Sequence, residues 1–360
     1  MLAVDVVVNN FNYARFLGAA VDSALAQTHP AVRVIVVDDG STDDSPELIR
    51  SYGNRIVPVL KENGGQASAL NAGFARCAAD VVVFLDSDDV LAPDAAALVA
   101  EAFGARPGIA KVQYRMEIID EEGRASGVVK PAPHLPMPTG DVRLAELRFP
   151  FDLTWLATSG NAFSAAVLRR IFPIPENDFA RCPDWYLVHL APLFGEVVSL
   201  DAVGAFYRIH GANRYEPSAP ALDLEHVRET IRYSAVTRRA LVRAAAELGL
   251  RDGGDEPLAV ADVANRLVSL RLAPEHHPVG ADSRLALAAA GLRASAGRFD
   301  VRWQMKALYA AWFLAAAAAP RPLVRRLAEV FLFPERRRTA NRLLGALHAR
   351  RALPGARTAA

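Results

Sequence analysis

Residues 34–43 read VIVVDDGSTD, and this stretch decides the fold class. Its four apolar residues, all β-branched, predict a buried strand. The two carboxylates, the glycine and the Ser-Thr-Asp that follow predict a sharp turn into a helix. On either side, short apolar runs alternate with helix-like stretches, which is typical of a parallel sheet covered by helices. We therefore expect an α/β domain over the first hundred residues.

The strands and helices predicted in this region alternate regularly. Strands are predicted near residues 4–8, 32–37, 56–60 and 81–85, and helices near residues 14–26, 44–51, 66–76 and 93–103. Each strand ends in a polar cluster. Ligands of open parallel sheets bind beyond the carboxyl ends of the strands, so residues 9–12, 38–43 and 86–89 are expected to converge on one crevice.

The pattern changes further along the chain. Residues 112–119 and 127–130, separated by a polar turn, predict a hairpin, and the proline-rich residues 131–138 predict an extended loop. A helix is expected over 185–194 and a strand over 197–209. From about residue 220 the chain is rich in Ala, Leu and Arg at helical spacing. We expect a catalytic domain over residues 1–215 and an all-helical domain over 216–360 with an Arg-rich amphipathic end.

Composition limits the remaining possibilities. The 360 residues are 52% hydrophobic with a formal net charge of +1, and ten arginines lie in residues 321–357. We expect a sizeable core and no nucleic-acid partner. Cys77 and Cys182 have neither disulfide-framework nor zinc spacing, which favours a reducing compartment. The start has no signal-peptide pattern, and the longest apolar run, 307–319, is short for a membrane span. These features predict a cytoplasmic location.

Residues 84–89, FLDSDD, place carboxylates at alternate positions after a buried strand. Asp86 and Asp88 could share one hard cation, for which Mg²⁺ or Mn²⁺ would suit oxygen ligands. A divalent cation neutralises the charge that develops on a nucleoside diphosphate leaving group. A solvated turn is the alternative interpretation of any single DxD. The alignment with the strand end at Asp38 and Asp39 favours the metal site.

These acidic clusters belong to an ordered set of motifs: NFNY at 10–13, SALAQT at 23–28, DDGSTD at 38–43, NGGQASALNAG at 63–73 and DSDD at 86–89. In this order and spacing, the set resembles family 2 glycosyltransferases over roughly residues 4–213. The resemblance implies the GT-A fold, a nucleotide diphosphate sugar donor, a divalent cation and an inverting transfer. It implies Asp39 as the contact to the base, and Asp86 and Asp88 as ribose and metal ligands.

The resemblance also implies the wider site. His210, in the terminal Tyr-Arg-x-His element, would join the metal ligands Asp86 and Asp88 or bind the diphosphate; a packed or surface histidine is the alternative. The helix that begins at residue 66 would present free N–H groups to the donor phosphates. The contacts expected for the nucleotide sugar are Asn10, Asn12, Asp38, Asp39, Gly65, Gln66, Asn71, Asp86, Ser87 and Trp155.

Asp184 is the candidate catalytic base. It stands at the start of an apolar helix, where similar enzymes carry such a residue. Its carboxylate would take the proton of the acceptor hydroxyl as that oxygen attacks the anomeric carbon. The alternative is that Asp184 only caps the helix.

The C-terminal helices leave two interpretations open. The apolar residues 303–319 beside dense arginine predict either an interfacial membrane anchor or a core helix followed by a solvated one. The anchor would bring the enzyme to the inner face of the cell membrane, where lipid-linked acceptors reside. We therefore expect peripheral membrane contact as one of two outcomes.

The favoured function is transfer of a single sugar, from a UDP-linked donor, to an acceptor hydroxyl in assembly of a surface glycan, a glycolipid or a glycosylated metabolite. A catalytically silent module that binds nucleotide sugar or partner proteins is the alternative. Retention of Asp39, Asp86, Asp88 and Asp184 argues against it. A nucleotidyltransferase would be expected to show a Gly-rich loop after the first strand, and residues 9–13 contain no glycine.

Overall fold

The computed structural model describes residues 1–135, 137–211, 213, 222–250, 259–298 and 300–332. The strands within these ranges are β1 Val4–Asn10, β2 Val32–Asp38, β3 Val57–Leu60, β4 Val81–Asp86, β5 Val90–Leu91, β6 Ile109–Ile119, β7 Ala125–Lys130, β8 Asn161–Ser164 and β9 Glu196–Arg208. The α-helices are α1 Ala14–Leu25, α2 Ser45–Ser51, α3 Gln66–Phe74, α4 Ala95–Ala105, α5 Arg143–Arg148, α6 Ala165–Ile171, α7 Glu176–Phe179, α8 Pro183–Leu190, α9 Leu224–Glu247, α10 Val260–Leu272, α11 Arg284–Gly297, α12 Trp303–Ala318 and α13 Arg321–Leu332.

The strands form one mixed sheet. Its order is β3-β2-β1-β4-β8-β6-β9-β5, with β7 paired to β6. The pairs β2–β3, β1–β2 and β1–β4 are parallel, which confirms the prediction for the first hundred residues. The second half is mixed, because β8 runs antiparallel to both β4 and β6 while β6 and β9 are parallel. The hairpin of β6 and β7 is also confirmed.

Helix α3 lies very close to the sheet at Gly73. A Cβ at this position would come within 2.4 Å of Val7 Cγ1 and 3.0 Å of Val37 Cγ2. All seven residues of β1 are buried, so the strand cannot shift away from the helix to accommodate a side chain. A residue without a side chain is therefore needed for α3 to pack at this distance. The close packing fixes the start of α3 near the carboxyl ends of β1 and β2.

The proline-rich loop after β7 is tied down by Arg115. This arginine is 5% exposed, and its guanidinium donates to the carbonyl oxygens of Pro131 at 2.6 Å, Ala132 at 3.1 Å, Pro133 at 3.2 Å and Leu135 at 3.2 Å. The loop predicted from the prolines is thus held by a side chain of β6, and it contains a turn in which Leu135 N donates to Ala132 O. Prolines leave backbone carbonyls without internal partners, and Arg115 supplies donors for them.

The chain divides into two compact units, residues 1–143 with 154–214 and residues 144–153 with 215–360. Asp152 holds its segment in the second unit. Its carboxylate accepts hydrogen bonds from Val260 N at 2.9 Å and Ala261 N at 3.2 Å, at the start of α10, and lies 3.2 Å from Arg298 Nη1. Burial raises the pKa of Asp152 to about 6, and Arg298 opposes that shift.

In the helical unit, α12 packs one face into the core and leaves the other exposed. Trp312, Phe313 and Ala316 are buried, whereas Trp303 is 72% exposed and Leu314 55% exposed. The buried face of α12 therefore agrees with the interpretation of this segment as a core helix. Among the described residues, no helix combines the length and apolar character that a membrane crossing needs. The predicted Arg-rich end begins in α13, Arg321–Leu332, and its remainder, residues 333–360, lies outside the described residues.

Candidate active site

The polar ends of three parallel strands converge, as the sequence predicted. In the sheet register, Asn10 at the end of β1 lies beside Asp38 of β2. On the other side of β1, Asn9 lies beside Asp86 of β4, and its Nδ2 donates to Asp86 Oδ1 at 2.8 Å. The crevice beyond these strand ends is therefore lined by amides and carboxylates.

Asp38 holds the turn after β2. Its carboxylate accepts from Asn10 Nδ2 at 2.9 Å, from Ser41 Oγ at 2.6 Å and from Ser41 N at 3.0 Å. Asn12 connects the same turn to the loop after β1, because its Oδ1 accepts from Thr42 N at 2.7 Å and its backbone N–H donates to Ser41 Oγ at 2.8 Å. The polar atoms of Asp38 and Asn12 thus bind protein groups and rigidify the two loops.

Asp39 organises the loop before α3. Its side chain lies 2.7 Å from Lys61 Nζ and accepts from Gly64 N at 3.1 Å and Gly65 N at 2.7 Å. Both carboxylate oxygens are therefore engaged by donors from the chain itself. Lys61 was not identified from the sequence, because a lysine at the end of a short strand carries no motif.

The start of α3 contacts a loop from much later in the chain. Gly65 has φ +87°, and a Cβ there would come within 2.7 Å of Ala180 O. The same carbonyl accepts from Gln66 N at 2.7 Å. The first N–H of α3, expected to face phosphate, is therefore bonded to protein. The Gln66 side chain does reach the crevice, since its Nε2 donates to Asp86 Oδ1 at 2.8 Å.

Asn71 lies on α3 with its amide turned to another segment. Its Oδ1 accepts from Ile174 N at 2.8 Å, while its Nδ2 donates to Ile174 O and to Glu176 Oε1, both at 3.0 Å. These bonds fasten the approach to α7 onto α3. The structure therefore gives Asn71 partners away from the strand ends where the other predicted donor contacts meet.

Four carboxylates gather at the crevice: Asp86, Asp88, Asp89 and Asp184. Burial, then the neighbouring Asp88 and Asp184, raises the pKa of Asp86 to about 7. Burial and the charges of Asp88 and Asp86 also raise the pKa of Asp89 well above its ordinary value. Burial and mutual repulsion thus make the ionised forms of these carboxyl groups unfavourable. The crevice is therefore electrostatically prepared for a cation or a hydrogen-bond donor.

Asp88 pairs with His210, the histidine that the family resemblance placed among the metal or diphosphate ligands. His210 Nε2 lies 3.1 Å from Asp88 Oδ2, and the histidine is 5% exposed. The imidazole packs against the rings of Tyr13 at 5.5 Å and Phe16 at 4.8 Å. These aromatic contacts fix the ring orientation, so the end of β9 and the end of β4 are joined at this pair.

Arg208 supports the acidic loop through its backbone and side chain. Its N–H donates to Asp89 Oδ1 at 3.0 Å and its Nε to Asp88 O at 2.8 Å. Its Nη1 also donates to the carbonyls of Asp120 and Glu121 at 3.1 and 2.9 Å. We did not single out Arg208 from the sequence. Its place in the Tyr-Arg-x-His element was the available signal.

Asp184 is in the first turn of α8 but is not its N-cap, which is Cys182. The Oδ1 atom of Asp184 accepts from Trp185 N at 2.9 Å and lies 3.2 Å from Cys182 Sγ. Burial raises the pKa of Asp184, and these two donors oppose the shift. Asp184 therefore lies two residues after the N-cap, and its carboxylate accepts a backbone N–H of the first turn, as a capping side chain does.

Trp155 and Ser87 complete the predicted contacts. The Trp155 ring lies 4.0 Å from Lys111 Nζ and meets the ring of His189 edge-on at 6.5 Å. Ser87 is 5% exposed between the two carboxylates of the DxD. Close by, Asp86 N donates to Ser159 Oγ at 3.1 Å. Trp155 thus has aromatic and cationic neighbours on β6 and α8.

The three residues expected to bind a cation do not form a closed cage. Within the part of the chain that the structure describes, no three or more His, Cys, Asp or Glu side chains are grouped as a metal site. The available donors, carboxylate oxygens and one imidazole, nevertheless suit Mg²⁺ or Mn²⁺. Mg²⁺ is commonly held by one or two carboxylates plus substrate phosphates. The donor set therefore fits a cation that binds together with a diphosphate.

Sequence comparisons give the same class of enzyme. A family model described as glycosyl transferase family 2 matches residues 5–146. An uncharacterized glycosyltransferase of Nostoc sp. is 34% identical over 224 residues, which cover 61% of this chain and 69% of that protein. The chondroitin synthase of Pasteurella multocida is 41% identical over 103 residues, or 28% of this chain and 11% of that protein.

Solved structures agree on the fold. S. aureus TarS 1-349 matches with a TM-score of 0.58 at 15% identity, covering 92% of this chain and 91% of that chain. The same TarS fragment in complex with UDP-GlcNAc matches with a TM-score of 0.55 at 16% identity, with coverage of 92% and 91%.

The sheet, the acidic crevice and these similarities define a glycosyltransferase with the GT-A fold and a helical C-terminal region. The chain belongs to glycosyl transferase family 2, and its reaction class is glycosyl transfer.

Proposed function

We propose that the chain moves a single sugar from a UDP-linked donor to an acceptor hydroxyl with inversion at the anomeric carbon. The observation that carries the proposal is that Asp184, on α8, lies near enough to Asp86, at the end of β4, for its charge to contribute to the raised pKa of Asp86. A base and a donor-binding carboxylate therefore share one crevice although they come from distant parts of the chain. A single displacement needs such an arrangement of base and donor.

In the proposed reaction, Asp184 accepts the proton of the acceptor hydroxyl while the oxygen attacks the anomeric carbon and the bond to the diphosphate breaks. The raised pKa of Asp184 suits this role, because a stronger base takes the proton more readily. Gln66 and Asn9 hold Asp86 in place through hydrogen bonds of 2.8 Å each. These two bonds therefore orient Asp86 before a donor binds.

We propose that Asp88, Asp86 and His210 hold a divalent cation, Mg²⁺ or Mn²⁺, when the donor is bound. The cation would neutralise charge on the departing diphosphate. Burial and the repulsion between neighbouring carboxylates raise the pKa of Asp86 and Asp89, and a cation bound here would relieve that repulsion. Asp88 is 21% exposed at its side chain, so it is open to a ligand.

The preference for UDP rests on the base pocket and on TarS, which has been solved in complex with UDP. Uracil offers one N–H between two carbonyl oxygens, and a carboxylate flanked by donors is complementary to that edge. Asp39 has such flanking donors in Lys61 and the glycine N–H groups. For the nucleobase N–H to bond to Asp39, it must replace one of these donors or share a carboxylate oxygen with it.

Binding of the nucleotide can be tested by thermal unfolding with a panel of nucleoside diphosphates and nucleotide sugars, each with Mn²⁺ and with chelator. We expect UDP compounds with Mn²⁺ to raise the unfolding temperature by roughly 5 °C or more at about 100 times Kd. Mn²⁺ or UDP added alone should give a smaller shift, because the donor set lacks a closed metal cage.

Three other results of the unfolding assay would each overturn a different part of the proposal. A larger response to GDP or another base would overturn the UDP assignment but not the donor site. A full response in chelator would overturn the role of the cation. If no nucleotide shifts a folded sample, the catalytically silent module becomes the better account.

We further propose that the chain acts in the cytoplasm at the inner face of the membrane, on a lipid-linked acceptor in surface glycan assembly. The exposed face of α12 supports this, because it is entirely apolar. It includes the exposed residues Trp303, Ala307, Ala311, Leu314 and Ala318. Three exposed arginines of α13 follow: Arg321, Arg325 and Arg326. Apolar residues beside arginines are typical of surfaces that bind anionic bilayers.

Co-sedimentation with phosphatidylglycerol vesicles tests the membrane contact. We expect binding that weakens with added salt, and a loss of about tenfold or more in the double variant Trp303→Gln, Leu314→Gln. Val242→Gln is the matched control, because Val242 is 51% exposed on α9. Binding that is absent in the wild type, or unchanged in the double variant, would overturn the membrane proposal and leave the transfer reaction untouched.

A further inference from the structure

The thiol of Cys182 contacts the candidate base. Cys182 Sγ lies 3.2 Å from Asp184 Oδ1, and the cysteine is 9% exposed. An ionised carboxylate can only accept hydrogen bonds, so the thiol is the donor in this contact. A single cysteine next to proline matches no metal or disulfide pattern, so this contact could not be predicted from the sequence.

The position of Cys182 explains why the thiol points to the carboxylate. Cys182 is the N-cap of α8, where Ser, Thr, Asp or Asn usually accepts a hydrogen bond from the first turn. Its side chain makes no such capping bond. Pro183 follows and restricts the backbone of Cys182. The thiol hydrogen is therefore directed along the helix start to Asp184.

Two donors meet on one oxygen of the base. Trp185 N and Cys182 Sγ both contact Asp184 Oδ1, at 2.9 and 3.2 Å. In the described part of the chain, no neighbouring residue donates to Oδ2. One oxygen is therefore anchored while the other remains available to a substrate hydroxyl.

We propose that Cys182 is a positioning residue of the transfer reaction, whose thiol orients Asp184 and favours its ionised form so that Oδ2 is presented to the acceptor hydroxyl. This inference rests on the proposed role of Asp184 as the base. It assigns the cysteine a function through hydrogen bonding, and no covalent chemistry of the sulfur is involved.

The charges around Asp184 make such a donor useful. Burial raises its pKa, and the thiol, the Trp185 N–H and His189 on the same helix oppose the shift. Across the crevice stand the like-charged Asp86 and the phenol of Tyr207 on β9. Of the helices that pack on α8, α3 carries no ionisable side chain, while on α7 Glu176 bonds to Asn71 and Asp178 is exposed. Loss of the thiol would therefore favour the protonated, inactive carboxyl.

Infrared spectroscopy can observe this hydrogen bond without any substrate. The chain has two cysteines, so a Cys77→Ala background leaves the S–H stretch of Cys182 as the sole thiol band. We expect that band at low wavenumber while Asp184 is ionised, and at higher wavenumber as the pH falls through the pKa of Asp184. In Asp184→Asn the band should not move with pH.

The carboxyl band of Asp184, taken as the difference from Asp184→Asn, gives the second readout. We expect Cys182→Ala to raise the pKa of Asp184 by about one unit, and Cys182→Ser, which keeps a donor, to raise it by less. The unfolding temperature of each variant verifies that it is folded. A merely structural cysteine would leave this pKa unchanged.

Two outcomes would overturn the inference: an S–H band that is insensitive to the charge of Asp184, or an equal pKa of Asp184 in wild type and in Cys182→Ala. Neither outcome bears on whether Asp184 is the base. That role fails separately, if Asp184→Asn transfers sugar at the wild-type rate.

Discussion

Asp184→Asn is expected to lower the rate of sugar transfer by about 100- to 10,000-fold, the range that a positioned general base contributes. The asparagine side chain has nearly the same size and can still accept from Trp185 N. It cannot take the acceptor proton at neutral pH. The effect should fall on kcat, because Asp184 acts on the acceptor hydroxyl, and donor binding measured by thermal unfolding should be preserved.

The matched control for this variant is Asp178→Asn, which changes an exposed carboxylate on the neighbouring helix α7. It should transfer sugar at nearly the wild-type rate. The anomeric configuration of the product, read by proton NMR, tests the inverting displacement. A retained configuration, or an Asp184→Asn variant within about threefold of wild type, would contradict the role of Asp184 as the base of a single displacement.

The first half of the fold was predictable because local pattern determines it. Apolar β-branched runs specified β1, β2, β3 and β4, and polar turns specified the helices between them. The convergence of Asn10, Asp38 and Asp86 also followed, since parallel strands bring their carboxyl ends to one edge. Neither inference required knowledge of contacts between distant residues.

Features that depend on distant contacts were not predictable. The antiparallel β8 has four residues, and its place between β4 and β6 is set by its partners rather than by its own pattern. Residues 144–153 join the helical unit because Asp152 accepts from the start of α10, 108 residues later. A sequence pattern can identify a strand or helix, but it does not state which one it will contact.

The same limit applies to the site. The motifs identified Asp39 and Asn71 but not their hydrogen-bond partners. Asp39 accepts from Lys61 and from two glycine N–H groups, and Asn71 bonds to the backbone of Ile174. Asp39 follows β2 and Asn71 lies within α3, and both bond to partners from other segments. The composition of a site was therefore accessible from the sequence, whereas the hydrogen bonds within it required the fold.

Asp88→Asn is expected to abolish the nucleotide-dependent response to Mn²⁺ and to lower transfer on the order of 1,000-fold, because a metal ion contributes several kcal/mol to stabilising the departing charge. The measurements are thermal unfolding with UDP and Mn²⁺, and the rate of transfer. Asn keeps the shape of the side chain and can still bond to His210. Glu47→Gln, which neutralises an exposed carboxylate on α2, is the matched control.

The ligand-free Asp88→Asn protein separates a functional role from a structural one. Asp88 contributes to the raised pKa of both Asp86 and Asp89, so its charge is unfavourable to the folded, metal-free protein. Removing that charge should leave the unfolding temperature equal to or above that of wild type, while activity is lost. A site that gains stability on losing its function is built for a ligand. A lower unfolding temperature without ligand would show instead that Asp88 is retained for the fold, through its contact with His210.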